Sequence, residues 1–381
     1  MKRVDANIIR RLSAQSRVRA RTVHCVAVAI AAALPFAAPG QVTNDRLGLP
    51  LSTRAACATN DTKAILLGRK LFFDKRFSAD GIVSCASCHQ PERAFTDGLS
   101  KSRGVDGLTG TRNAPSLLNA ALVEAQFWDG RKSSLEDQAL EPFVNPVEQG
   151  LKNLDSLLRT IRGDTAYVRD FKTAFGVSSR NIGAQHVARA IASFERSLAA
   201  GDSAFDRYYY GADKAALSPD AVRGLLLFTG RAQCSTCHTI GPQGAAFTDG
   251  QFHTLHVGMS RIESRLTELT HQVLASRNRG DSIATIVLGS DDVAELGRFV
   301  ITLDPRDIGK FRTPSLRNVA LTAPYMHEGS VATLKEAVEQ EVYYRTAQSG
   351  SPLILTPQEK DDLVSFLESL TSRRATQTYQ H

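Results

Sequence analysis

Two pairs of cysteines, each followed at once by a histidine, carry the clearest chemistry in this 381-residue chain. They are Cys85, Cys88 and His89 in "VSCASCHQ", and Cys234, Cys237 and His238 in "AQCSTCHTI". Three chemistries compete for a Cys-x-x-Cys pair. Structural zinc needs four ligands, which two such pairs supply with no call on histidine. A thioredoxin-type redox pair sits in a βαβ pattern that this sequence does not show. A c-type haem takes both thiols as thioethers and an adjacent histidine to reach the iron. Only the last explains the histidine in both copies, so the spacing implies two covalently bound c-type haems with His89 and His238 as the proximal iron ligands.

The elements that must carry these motifs read as helices. Before the first motif, "DTKAILLGRKLFFDKRF" places Ile65, Leu67, Leu71 and Phe72 at helical spacing. Before the second, "SPDAVRGLLLFTG" opens with Ser218 as N-cap and Pro219 at the first helical position. Each helix leads into its motif in the same order, as a duplicated c-type cytochrome unit would. Near the end, "TPQEKDDLVSFLESL" begins with a capping box from Thr356 to Glu359 and suits a closing helix. Strand signals are few and short, "RFVITL" at 298–303 and "LILT" at 353–356. The expected fold is mainly α, with two c-type cytochrome domains at 41–215 and 216–381, each holding a covalent haem.

Residues 1–40 have a basic start, an apolar run around "VAVAIAAAL" and then small residues with proline, the layout of a cleaved export signal. The apolar run is shorter than the ~20 residues that span a bilayer, so no membrane span is expected in the mature form. Those residues carry seven Lys/Arg and one Asp, which leaves a mature chain near +1 of the formal +7. The basic pI of 9.1 is therefore no argument for a nucleic-acid partner. A periplasmic location is expected, which suits covalent haem attachment. Of the six cysteines, Cys25 leaves with the signal and Cys57 stands alone near the mature N-terminus.

Two haems could serve only to carry electrons, in which case each iron would take a second soft ligand. Between His89 and His186 there is no other histidine, and no methionine occurs between Met1 and Met259. The first iron is thus expected to be open on one side, as peroxide binding requires.

Together with both motifs, "FWDGRKSSLEDQALEPFVNPVEQG", "TRNAPSLLNA" and "KFRTPSLRNVALTAPYMHEGS" resemble the bacterial dihaem cytochrome c peroxidase and MauG family, over roughly residues 61–370. The resemblance implies a dihaem peroxidase, an oxidoreductase acting on hydrogen peroxide, with a peroxidatic first haem and an electron-transfer second haem. It implies that Glu148 is the distal acid/base, that Gln138 is the amide orienting peroxide, and that Pro142 lines the same pocket. Trp128 matches the tryptophan between the haems. The resemblance further implies one Ca²⁺ held by Asn113 and the backbone carbonyls of Thr322 and Pro324, hard oxygen donors of the kind calcium takes.

Two departures bear on function. Longer-known members close the first haem with a histidine from the loop after the motif, and residues 90–127 contain none. Those members also give the second haem a methionine from the helix after "PYMH", where MauG-like proteins use tyrosine. Counting fourteen residues past His327 reaches Glu341, with Tyr343 and Tyr344 just beyond. A tyrosine is the expected sixth ligand of haem two, with Glu341 as the alternative. Both departures favour the MauG and MbnH branch, in which high-valent haems oxidise a partner protein. The alternatives are peroxide reduction to water with electrons from a small periplasmic redox protein, and a non-enzymatic dihaem electron carrier. His253 and His256 follow the second motif as propionate contacts or plain loop residues, and His327 is expected near the second haem. Residues 263–282 read as a surface insertion.

Overall fold

The computed structural model describes residues 46–58, 61–349 and 352–376. The expected export segment, 1–40, lies outside them, as does the side chain of Cys57. The first half of the chain runs through α1 (Leu51–Ala58), α2 (Thr62–Phe73), α3 (Cys85–Cys88), α4 (Leu135–Val144), α5 (Leu154–Gly163), α6 (Thr165–Phe175) and α7 (Ala184–Ser197). The second runs through α8 (Ala204–Tyr209), α9 (Pro219–Thr229), α10 (Met259–Ile262), α11 (Leu266–Asn278), α12 (Ile283–Leu288), α13 (Asp291–Ala294), α14 (Phe299–Thr302), α15 (Leu334–Ser349), α16 (Pro357–Glu368) and α17 (Arg373–Thr376). Two dipeptides, β1 (Phe252–His253) and β2 (Phe311–Arg312), pair antiparallel, with Phe252 opposite Arg312.

The expected helix starts are present. Asp61 caps α2 by accepting the Lys63 N–H at 2.8 Å, Ser218 caps α9 with Pro219 behind it, and Thr356 and Glu359 form the capping box of α16. Each half is built on a crossing of two such helices, α2 on α7 and α9 on α16. A glycine stands at each crossing. A Cβ on Gly68 would collide with the Ala190 carbonyl, and one on Gly224 with the Asp362 carbonyl, so only hydrogen lets the backbones approach this closely. The first core gathers Leu67, Leu71, Phe143, Ile161, Tyr167 and Phe171; the second gathers Phe205, Leu225, Phe228, Phe247 and Phe366. Phe205 of α8 packs into the second core, and Ala375 of α17 returns to a cluster with Phe72 and Phe194. Under the second core, Arg317 is buried and bonds both Asp206 oxygens at 2.9 Å.

The duplication extends to single residues. His89 Nδ1 meets the Phe95 carbonyl at 3.0 Å, and His238 Nδ1 meets that of Phe247 at 2.9 Å. Ser116 Oγ donates to Ala94 O and Ser315 Oγ to Ala246 O. Asn119 and Asn318 both take left-handed φ, as do Phe127 and Met326, and Gly130 and Gly329. A bridge joins Gln126 to Lys132 and another joins Tyr325 to Val331. One constant offset relates all these pairs from Ser116 onward, and carries the start of α4 onto that of α15.

Neither strand signal forms a strand. Phe299–Thr302 is helical, because its apolar run buries Phe299 and Val300 beside Leu296 and ends at Leu303 with φ 56°. Residues 352–356 form neither strand nor bridge. The stretch 263–282 is mostly α11, whose Leu269 and Val273 anchor a third apolar cluster with Ile262, Val287 and Val300. That cluster makes it a packed helical element, with its polar residues outward.

Candidate active site

A single cavity is lined by Cys88, Cys234 and Cys237 and by both motif histidines. Cys85 lies just behind, its Sγ 3.6 Å from Gln149 Nε2. All four thiols are free. Burial pushes Cys85, Cys88 and Cys234 up to about 12, so with nothing bound they are held as thiols and not as redox-active thiolates. Both imidazoles are lowered by burial and use Nδ1 on a backbone carbonyl. Their neutral form and their free Nε2 are what an iron takes. The residues therefore fit two c-type haems.

On the first side, α4 presents Leu135, Gln138 and Pro142 to the cavity, followed by Asn145, Val147 and Glu148. Ser134 caps this helix by accepting the Asp137 N–H. Pro142 sits inside it and has no N–H for the Gln138 carbonyl one turn back. Burial raises Glu148 to about 7, partly offset by the nearby Arg131. Asn145 Nδ2 donates to Glu148 Oε1 at 2.6 Å and fixes the carboxyl. Arg131 is itself held by Asp129 at 2.9 Å and Glu141 at 2.6 Å, with its guanidinium 3.4 Å from the Phe127 ring centroid. The first half contributes one histidine, His89, and no methionine to this lining; His238, His253, His327 and Met326 come from the second half. A carboxyl poised near neutrality beside a free amide can take and return a proton.

Trp128 also lines the cavity, with its Nε1 donating to the Asn113 carbonyl at 2.9 Å and its own carbonyl accepting the Arg312 N–H at 2.8 Å. Asn113, Thr322 and Pro324 all line the cavity. Asn113 Nδ2 is spent on Leu99 O, which leaves Oδ1 without a donor among the described residues. The Thr322 and Pro324 carbonyls accept no hydrogen bond among them either, and all three are oxygens of the kind a hard cation takes.

On the second side, α15 lines the cavity with Leu334, Ala337, Val338, Glu341, Val342 and Arg345. Glu341 is pushed up to about 7 by burial, with Arg345 opposing, and makes no side-chain hydrogen bond among the described residues. The two tyrosines face elsewhere. Tyr343 is 70% exposed, and Tyr344 tilts against the His256 ring at 6.2 Å. His253 lines the cavity and pairs with Asp249 at 2.7 Å. His327 also lines it, buried, bonded to Glu295 at 2.8 Å and stacked on Phe311. Sequence reasoning missed Asn145, Arg131, Arg112 and Arg312; the signal for Arg131 was its place between Asp129 and Glu141, and the others had none.

A family model described as di-haem cytochrome c peroxidase matches residues 62–214. Methylamine utilization protein MauG of Methylorubrum extorquens is 33% identical over 316 residues, 82% of this chain and 79% of that protein. The chain belongs to the di-haem cytochrome c peroxidase family. Cytochrome c551 peroxidase of Pseudomonas aeruginosa is 36% identical over 312 residues, 81% of this chain and 78% of its own. Among solved structures, a MauG-like protein associated with microbial copper homeostasis superposes with TM-score 0.66 at 32% identity, covering 91% of this chain and 98% of that one. As a member of this family the chain is a dihaem peroxidase, an oxidoreductase acting on hydrogen peroxide with a redox protein or protein partner. No helix among the described residues is long and apolar enough to cross a membrane.

Proposed function

We propose that this chain is a periplasmic, MauG-like member of the family, which takes oxidising equivalents from hydrogen peroxide at its first haem and passes them to a partner protein. The observation that carries the reading is that Glu148 and Gln138 line the cavity together with His89, while residues 90–185 supply no second histidine or methionine. Haem there supplies the iron at which peroxide is cleaved. Glu148 takes the proton of incoming peroxide and returns it to the departing oxygen; Asn145 keeps its carboxyl in place. Gln138 would orient the peroxide, and Pro142 lines the same pocket without offering a donor. Trp128, anchored at both its indole and its carbonyl, relays electrons between the two sides. Asn113, Thr322 and Pro324 would hold Ca²⁺.

For the second haem, α15 turns Glu341 to the cavity that His238 lines and leaves Tyr343 and Tyr344 off it, so Glu341 would be the oxygen available to the iron. Glu341 occupies in α15 the place that Pro142 occupies in α4. An anionic oxygen ligand lowers the potential of that haem relative to methionine, which suits storage of an oxidising equivalent.

The test is to mix the fully ferric holoprotein with one equivalent of hydrogen peroxide and follow the Soret and near-infrared absorption in a stopped-flow cell. A prompt change in both regions is expected. A protein that stays silent until one electron is added would contradict the open first site.

A further inference from the structure

Buried arginines in this molecule normally meet a carboxylate. Arg131 has Asp129 and Glu141, and Arg317 has Asp206. Arg112 and Arg312 break that pattern. Nε and Nη1 of Arg112 are shielded from solvent and have no hydrogen-bond partner, while Nη2 reaches only the Ala294 carbonyl. Asp129, Glu295 and Glu328 stand close enough to offset part of its burial, yet none bonds to it. Arg312 is 8% exposed and finds only the carbonyls of Phe127 and Thr313, each at 3.4 Å. Its guanidinium is lowered to about 10 by burial alone, so no anion of the chain stands against it. An unpaired buried cation costs several kcal/mol, which a fold does not sustain twice without a counter-charge.

Both side chains line the cavity that the two motifs share, one from each half: Arg112 lies four residues before Ser116 and Arg312 three before Ser315. Arg112 lies over the Phe311 ring at 4.8 Å, and Phe311 is the direct neighbour of Arg312. Each also touches the mount of Trp128: Arg112 precedes Asn113, which accepts the indole N–H, and the Arg312 N–H bonds the Trp128 carbonyl.

We propose that Arg112 and Arg312 are the counter-charges of haem propionates turned toward the middle of the cavity, and that they set the potentials of the haems on either side of Trp128. This rests on the dihaem reading above. A guanidinium presents its donors in a fork that matches a carboxylate, and such a pair stays strong when desolvated. Removing one leaves a propionate charge uncompensated beside its iron, which favours the ferric state. Arg112 and Arg312 act through the haems as positioning residues.

The experiment compares holoprotein carrying Arg112→Leu, Arg312→Leu, the two lysine replacements, and the control Arg306→Leu, whose side chain is 86% exposed. Haem content is measured first by pyridine haemochrome, then both midpoint potentials by spectroelectrochemical titration. Each leucine variant is expected to show a negative shift of at least one potential, with the lysine variants closer to wild type and the control unmoved. Two haems per chain with unshifted potentials in both leucine variants would overturn the proposal while leaving the dihaem reading intact; absence of haem from the wild type would overturn that reading instead. Should the leucine variants fail to load haem, resonance Raman of the wild type decides: propionate bending bands typical of water-exposed carboxylates would overturn the pairing. Potentials that move with added phosphate would assign the pair to a dissociable anion and equally overturn it.

Discussion

Replacing Glu148 by glutamine tests the proton-transfer step with little change of shape, because a glutamine Oε1 can still accept the Asn145 Nδ2 bond now 2.6 Å long. Burial holds the Glu148 carboxyl neutral up to about 7 against an ordinary 4.5. That corresponds to about 3 kcal/mol against the buried anion, less whatever water in the cavity returns. Two consequences follow, and they separate. In the reaction with peroxide, the wild-type protein needs the anionic carboxylate to take the first proton, so its rate constant should rise with pH through about 7 and then level. The glutamine variant should be slower by about 10²–10⁴-fold, equivalent to ~3–5 kcal/mol of barrier, with a flat profile over the same range. In stability the sign runs the other way. The folded wild type binds a proton that the unfolded chain releases above about 4.5, so its stability declines as pH rises from there to about 7, and the variant escapes the decline. The variant should therefore gain on wild type by about 1–3 kcal/mol between pH 4.5 and 8. Stopped-flow absorption reads the first consequence, and chemical denaturation at several pH values the second. A variant that reacts within about threefold of wild type at pH 8 would refute the assignment of Glu148 to proton transfer.

Other perturbations probe the scaffold and the second site. Glu341→Gln is expected to change the EPR and optical signature of the second haem, whereas Tyr343→Phe, at a side chain 70% exposed, should leave both as they were. Gly224→Ala drives a methyl into the Asp362 carbonyl and should destabilise the second half by at least about 1–3 kcal/mol, read as a lower Tm. Asp206→Asn strips the buried Arg317 of its counter-charge and should cost roughly 3–5 kcal/mol in denaturant unfolding.

Much of this was legible in the chain. The two Cys-x-x-Cys-His motifs give the attachment chemistry outright, and the caps at Ser218 and Thr356 give the helix starts, because capping is local chemistry between residues three apart. The short apolar runs were not legible. "FVIT" has strand-like residues, yet its pairing stops at the Gly297–Lys310 bridge just before it, and burial beside Leu296 decided in favour of a helical turn. The facing of α15 fell between the two. Its stripe of Leu334, Val338, Glu341, Val342 and Arg345 follows helical periodicity and places Glu341 inward, but a reading led by side-chain type turned to the tyrosines. The unpaired state of Arg112 and Arg312 was invisible, since it depends on which carboxylates the fold brings near.

The duplicated scaffold sharpens the contrast between the two sites. One offset carries Ser116 onto Ser315, Asn119 onto Asn318 and α4 onto α15, so residues at matching places meet equivalent surroundings. Pro142, which has no side-chain donor atom, lines the cavity from α4; at the matching place in α15 stands Glu341, whose carboxyl has no hydrogen-bond partner among the described residues. Trp128 matches His327, and His327 is bound to Glu295 where Trp128 is bound to a backbone carbonyl. A fold that repeats its proximal hydrogen bonds to within 0.1 Å while exchanging these distal residues separates two roles on one frame. On the proposed reading, proline would leave the first iron accessible and a carboxylate would close the second. The exchange Pro142→Glu should accordingly close the first site: the ferric protein should keep both haems, lose its high-spin signal and cease to respond to peroxide. A variant that retained the high-spin signal and full reactivity would show that the place facing the histidine does not govern access to the iron.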